Sequence, residues 1–343
     1  MNEPTLDKFP KKVLAKISAE RAFIVSRLIV AAERLQVFRL LHGKQMKADA
    51  IGHALKIHKF YLQALLNSLV SLGLLHKSND IYWNTPLAEK YFIAERSIYW
   101  TRQYSKECVQ AYEALTVLEK MLTSGRNYKS IKGFHNPSYT EAMKRDRHQA
   151  EDFTQMLFHF HREDAEALAN YLDLSGHRAV LDAAGGSGVM SIALAKKNPH
   201  LRACILDIAP VCRIAARNIR RARMSRRVAT LPGDIRHSLP AGYDVIMFCD
   251  IGPVSKQLLQ NAYKSLPANG LIVLVDRYLS KDGTQPLDRL VSQFVGSSFP
   301  QATWADMVET IKSCGFGAVK ARNVYRDLWF ITGIKPSRRP PHI

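Results

Sequence analysis

The stretch VLDAAGGSGVM, Val180 to Met190, constrains this chain more than any other, because an apolar run stops at a carboxylate and passes straight into small residues ahead of a helix. Ala179-Val180-Leu181 reads as a strand buried on both faces of a parallel sheet, closed by Asp182. Gly185, Gly186 and Gly188 let the backbone turn tightly and approach a ligand closely. Ser191 to Lys197 then resumes as an amphipathic helix whose N-terminus faces that ligand. The spacing Asp-x-x-Gly-Gly-x-Gly puts the acid inside the turn, unlike the dinucleotide pattern Gly-x-Gly-x-x-Gly. A carboxylate there suits an amine or a hydroxyl rather than a pyrophosphate, although the turn alone is equally compatible with a structural connection.

Two further acids follow at comparable places. Ala203 to Leu206 reads as a second strand ending at Asp207-Ile208, about twenty-five residues after Asp182, where a βαβ unit places its ribose-binding acid. A third strand, Arg227 to Leu231, reaches Gly233-Asp234-Ile235, an acid and an aliphatic side chain able to hydrogen-bond and sandwich an adenine. A fourth, Tyr243 to Phe248, runs into Cys249. Three acids at successive strand ends resemble the S-adenosylmethionine-dependent methyltransferase fold. That resemblance implies a cofactor held by Asp182, Gly185, Gly186, Gly188, Asp207, Ile208, Asp234, Ile235 and Cys249, with no metal.

The later chain narrows the family. Asn261 to Val275, Thr303 to Met307 and Cys314-Gly315-Phe316 resemble the small-molecule O-methyltransferases of the hydroxyindole, caffeate and polyketide type, over most of residues 175 to 335. Met46 to Phe92 resembles the winged helix such enzymes carry. Ala48 to Ala54 and Lys59 to Leu75 are helical by apolar spacing, with Leu72-Gly73-Leu74-Leu75 as the helix exit, and Lys77 to Asn84 offers a wing through Ser78-Asn79-Asp80. The outward positions of the second helix are Tyr61, Gln63, Asn67, Ser68 and Ser71, with only Lys59 charged, which argues against nucleic acid. The resemblance implies a homodimer acting on a small-molecule acceptor. The expected architecture is α/β: a Rossmann-like class I methyltransferase domain at 174–335 with an N-terminal all-helical winged-helix dimerisation domain at 1–95. A helical roof over the acceptor pocket is expected at 96–173, and a disordered tail at 336–343.

One departure bears on chemistry. Family O-methyltransferases place a His-Asp pair some residues after the fourth strand, and its imidazole takes the acceptor's proton. Here the chain reads Cys249-Asp250-Ile251-Gly252-Pro253-Val254-Ser255, about five residues shorter than the family pattern. A phenol with pKa of about 10 is a poor nucleophile, and a placed base contributes roughly 10² to 10⁴ in rate. C- or N-methylation is therefore at least as well supported as O-methylation. Two other classes stay open: cyclisation of the cofactor's own aminobutyrate with release of methylthioadenosine, and an inactive cofactor-sensing or nucleic-acid-binding homologue. The candidates for proton handling are Asp250 and His159. The latter lies in Met156 to His161, which resembles the family segment that approaches cofactor and acceptor; His159 is the closer positional match, His161 the second. Tyr99, Trp100, Tyr104, Tyr112, Phe153, Phe158 and Phe160 are expected in the roof. Ala184 stands where the family usually has glycine and slightly crowds the cofactor's amino acid end. Phe248-Cys249 also resembles the bacteriochlorophyll C-methyltransferases of the same broad family.

Length and composition agree: 343 residues at 47% hydrophobic content can fill two cores. No stretch approaches eighteen uninterrupted apolar residues and the five cysteines are scattered, so a soluble, unexported, cytoplasmic protein is expected. The net charge of +19 lies mostly beyond residue 174. Arg213, Arg217, Arg220 and Arg221 form a stripe opposite Val211, Ile214, Ala215, Ile219 and Ala222, extended by Arg223, Arg226 and Arg227. That stripe reads as a solvated face, or as an attraction for an anionic membrane surface or a carrier protein.

Overall fold

The computed structural model describes residues 22–94, 105–106, 108–134, 137–295, 301–325 and 328–337. The expectations for Tyr99, Trp100 and Tyr104, and for the tail from Arg338, lie outside the described residues. The chain divides into two compact units, Met1–Thr116 and Val117–Ile343.

In the first unit, helices α1 (Ala22–Arg34), α2 (Val37–Leu40), α3 (Ala48–Leu55) and α4 (Lys59–Ser71) accompany a small antiparallel sheet. Its strands β1 (Met46–Lys47), β2 (Leu75–Ser78) and β3 (Ile81–Asn84) lie in the order β1-β3-β2. Helix α4 stops at Ser71 rather than running on to Leu75. Gly73 adopts φ 73°, its N–H bonds Val70 O at 2.9 Å, and the Leu74 N–H returns to Leu69 O at 2.9 Å, a Schellman closure that frees Leu75 to pair with Asn84. Leu62, Leu66 and Leu69 fill the core with Tyr82 and Phe38, whose ring stacks on Phe92 at 4.1 Å.

The second unit is built on seven strands: β4 (Ala179–Ala183), β5 (Arg202–Asp207), β6 (Val228–Pro232), β7 (Val245–Cys249), β8 (Leu271–Arg277), β9 (Gly317–Tyr325) and β10 (Leu328–Ile334). They lie in the order β6-β5-β4-β7-β8-β10-β9, parallel from β6 through β8, with β10 antiparallel to both neighbours. The β6, β7 and β5 bounds fall within two residues of those read from apolar runs. One face is covered by α7 (Arg162–Tyr171), α8 (Val189–Lys197) and α9 (Ala209–Arg221), through Leu168, Leu194, Ala215 and Ile219. The other is covered by α10 (Lys256–Ser265) and α12 (Trp304–Ser313), through Leu259, Ala262, Met307 and Ile311. The helices α5 (Tyr139–Arg145) and α6 (Arg147–Phe160) precede α7, and α11 (Leu287–Val295) precedes α12. Because the strand order reverses between β4 and β7, a crevice opens outside their carboxyl ends, where open α/β sheets bind ligands. No described helix is long and apolar enough to cross a membrane.

Candidate active site

The turn after β4 is fixed by close packing. Ala184 sits in the left-handed region at φ 59°, its N–H bonded to Leu206 O of β5 at 2.8 Å. A Cβ at Gly185 would stand 2.4 Å from Asp182 Cγ, and one at Gly188, where φ is 78°, would stand 2.6 Å from Ile205 Cδ1. Only glycine lets the chain pass both places. Asp182 is fully buried beneath this turn: Oδ2 accepts from Ser191 Oγ at 2.6 Å, whereas Oδ1 has no protein partner. Burial, opposed only by the Ser191 bonds, pushes the Asp182 carboxyl up to about 7.

Asp207, at the end of β5, accepts from the Gly186 N–H at 2.9 Å and from the Ile208 N–H at 2.7 Å. It is nonetheless pushed up to about 6 by burial. Asp234 lies past the end of β6 and is held by Arg236, whose Nε reaches both carboxylate oxygens at 3.0 and 3.1 Å and whose NH2 reaches Oδ2 at 2.6 Å. Those bonds bring the Asp234 carboxyl down to about 2.

These elements surround a cavity of about 580 Å³. Ala184, Gly185, Gly186, Asp207, Ile208, Asp234, Ile235, Cys249 and Asp250 line its sheet side, and Tyr139, Phe153, Leu157 and His161 line the side made by α5, α6 and the junction with α7. Asp182 and Gly188 are not in the lining. They stand behind it, shaping the turn. Burial pushes the Cys249 thiol up, so it is a neutral wall group. His159 does not reach the lining either: it is half-buried on α6, with its ring edge-on to Phe158 at 5.7 Å. A helix turns about 100° per residue, so two residues further on the chain presents a different direction, and it is His161 that faces the cavity.

His161 caps the end of α6 and the start of α7 and is 5% exposed. Its Nδ1 bonds Asp164 Oδ2 at 3.0 Å, and its Nε2 stands 2.8 Å from Asp250 Oδ2, an ion-pair approach too bent for a hydrogen bond. Burial alone would lower the imidazole, but Asp164 and Asp250 outweigh it and lift His161 to about 9. Asp164 also accepts from Arg277 NH2 at 2.9 Å and is held below the usual carboxylate range, the His161 bond and Arg277 outweighing its burial. Asp250 follows β7 at φ 51°, its N–H bonded to Val275 O at 2.8 Å. Asp250 lines the cavity, and Asp164, Arg277, Tyr139 and Arg236 join it there or stand beside it without being singled out by the sequence. His161 and Asp164 are i and i+3 on one helical face, a spacing visible in the sequence. The arrival of Arg277 from β8 needs the sheet.

On α9, Arg213, Arg220 and Arg221 are exposed, as are Arg223 and Arg226 beyond its end, while Arg217 pairs with Glu151 and Arg227 bonds the carbonyls of Ala195 and Asn198. No group of three or more potential metal ligands occurs among the described residues.

Residues 115–300 match the O-methyltransferase domain family and residues 19–93 the O-methyltransferase dimerisation domain family. The chain is 26% identical over 307 residues to the 3-hydroxy-5-methyl-1-naphthoate 3-O-methyltransferase of Streptomyces sahachiroi, covering 86% of this chain and 87% of that one. It is 30% identical over 202 residues to the L-tyrosine C(3)-methyltransferase of Streptomyces lavendulae, covering 54% and 55%. Its fold matches that of human N-acetylserotonin methyltransferase, solved in complex with SAM, with a TM-score of 0.78 at 19% identity over 98% of this chain and 99% of that one. With most of its length matched by the two domains, the chain belongs to the O-methyltransferase family.

Proposed function

We propose that this enzyme transfers a methyl group from S-adenosyl-L-methionine to a small-molecule acceptor of the secondary-metabolite or pigment class, with carbon or nitrogen as well served as oxygen. The observation that carries the reading is that two strand-end acids, Asp207 and Asp234, line one cavity, while a third, Asp182, lies directly behind its glycine turn with Oδ1 buried and without a protein partner. A buried carboxylate oxygen without a donor is costly unless a ligand supplies one, and the cofactor's amine is such a donor. The residues fit the group: Asp182 and the Gly185-Gly186 turn for its amino acid end, Asp207 for the ribose hydroxyls, and Asp234 with Ile208 and Ile235 for the adenine. When bound, the cofactor supplies a methyl carbon on a positively charged sulfur. The protein's part is to position the acceptor, exclude water and take a proton where the nucleophile carries one. Asp250, at the cavity wall beyond β7, is the group placed to accept it.

That relatives of this chain include an O-methyltransferase and a C-methyltransferase supports leaving the methylated atom open. The dimerisation domain supports a homodimer, and free thiols at all five cysteines suit a reducing, cytoplasmic setting. The test is mass spectrometry of the full chain incubated with S-adenosylmethionine and extracts fractionated for phenols, amines and enolisable carbons. S-adenosylhomocysteine formed with a mass gain of one methylene in the acceptor is expected. Methylthioadenosine formed without any acceptor would overturn the reading.

A further inference from the structure

The junction between α6 and α7 carries a charged cluster that methyl transfer alone does not explain. Burial by itself favours the neutral form of an imidazole ring. His161 has two carboxylates, one at each nitrogen: Asp164 from α7 at 3.0 Å and Asp250 from the loop after β7 at 2.8 Å. The Asp164 carboxylate is itself anchored by Arg277 of β8, whose guanidinium also lies over the Phe160 ring at 5.4 Å. Two further groups stand beside this cluster: the Cys249 thiol, which burial leaves neutral, and Asp276 of β8, which burial and the nearby Asp250 push up to about 6 and which pairs with Arg289 at 3.2 Å. Asp250 alone of the cluster's carboxylates lines the cavity, with its side chain 33% exposed. Its backbone is in the left-handed region at φ 51°, a conformation that costs a non-glycine residue roughly 1 to 2 kcal/mol and persists when its surroundings hold it.

We propose that His161 is a positioning residue for this reaction: an imidazolium clamped between Asp164 and Asp250 that fixes the Asp250 carboxylate at the cavity wall. The inference rests on the methyl-transfer reading above. The order of groups inverts the usual arrangement, in which a carboxylate orients a neutral imidazole that acts as the base. Here both imidazole nitrogens face carboxylates, so the ring carries its proton, and the outer carboxylate, Asp250, is the one that meets the cavity. When an acceptor atom with a proton forms its bond to the methyl carbon, the C–S electron pair stays on sulfur and the proton passes to Asp250. His161 holds that carboxylate in place at the cavity wall before the transfer.

The test is a titration of the imidazole ¹⁵N signals of the full-length chain between about pH 6 and about pH 10, assigned with His161→Gln, beside calorimetry with S-adenosylhomocysteine. In the wild type, His161 is expected to stay doubly protonated to about pH 9. Asp250→Asn should lower the midpoint by at least about one unit, and Asp250→Glu should restore it. A neutral His161 at pH 7, or a midpoint that Asp250→Asn leaves in place, would mean that His161 serves Asp164 and Arg277 structurally, and the inference would fail. Failure of S-adenosylhomocysteine to bind the wild type would instead overturn the methyl-transfer reading and this inference with it.

Discussion

Gly185 lies so close to Asp182 that a Cβ at position 185 would meet the carboxyl carbon at 2.4 Å and both carboxyl oxygens within 2.8 Å. The buried acid and the turn above it are therefore one object: the glycine gives the carboxylate its room, and the carboxylate with Ser191 holds the turn from below. Gly185→Ala must displace either the backbone or Asp182. Overpacking of this kind typically costs about 1 to 3 kcal/mol. We expect a lowered Tm together with loss of S-adenosylhomocysteine binding by calorimetry; binding within twofold of wild type would show that Asp182 is not part of the cofactor site.

The Asp207 carboxylate accepts from Gly186 N and Ile208 N, so it braces the glycine turn as well as facing the cavity. Asp207→Ala should cost roughly 2 to 4 kcal/mol of cofactor binding through lost charge-assisted hydrogen bonds, and should lower Tm through the two freed N–H groups. Asp207→Asn separates the effects: an amide oxygen can still accept one of those bonds, so Tm should recover further than affinity. Equal recovery of both would remove the ribose assignment.

The buried acids set a pH dependence whose sign can be worked out. Asp182 and Asp207 titrate near 7 and 6 in the folded chain, against 3.8 as the ordinary carboxylate value, so the folded state binds more protons between those limits. Stability without cofactor should fall as pH rises from about 4 to about 7. His161, lifted to about 9, adds stability that is present below 6.5 and is lost as pH rises through 9. Both effects point the same way across neutrality. A cationic amine, by contrast, prefers ionised Asp182, so affinity for S-adenosylhomocysteine should increase as pH rises through about 7, with protons released on binding. Calorimetry in buffers of different ionisation enthalpy measures that release; proton uptake would contradict the assignment of Asp182 to the amine.

His159 and His161 were separable only by geometry. Sequence similarity favours His159, but the cavity receives His161 because the turn of α6 carries the earlier ring away toward Phe158. His161→Gln should reduce turnover at least about tenfold while cofactor affinity stays within twofold; His159→Ala should change Tm and leave turnover close to wild type. The reverse pattern would return the proton-handling role to His159.

This pair shows where sequence is legible and where it is not. Val180-Leu181-Asp182 and its following glycines announce themselves because strand, acid and turn are contiguous, and period and composition fix contiguous structure. The same holds for Asp207, Asp234 and Asp250, each read from a strand end. Leu72-Gly73-Leu74-Leu75 is legible as the exit of α4 because Gly73 closes it, but the last regular turn, at Ser71, is not, since the exit keeps the helix's apolar character. The Arg277 contact to Asp164 joins residues 113 positions apart and has no local signature. Nor does the sequence reveal that the arginines on α9 and just beyond it divide, Arg217 and Arg227 being engaged by Glu151 and by backbone carbonyls while Arg213, Arg220 and Arg221 stay exposed.

Arg236 supplies the last prediction, because it occupies the carboxylate assigned to the adenine. Its guanidinium bonds both oxygens of Asp234, yet its own side chain is 65% exposed, so the pair is a solvent-screened surface ion pair that adds little to stability. An adenine amine arriving at Asp234 must share or displace these bonds. Arg236→Ala should therefore leave Tm within about a degree or two of wild type and tighten S-adenosylhomocysteine binding by up to about fivefold, the equivalent of about 1 kcal/mol. The gain should shrink as salt rises, because screening already weakens the competing ion pair in the wild type. Asp234→Asn in the Arg236→Ala background should then erase the gain. Weaker binding on removing Arg236 would show instead that the guanidinium itself contacts the ligand and that Asp234 serves to aim it.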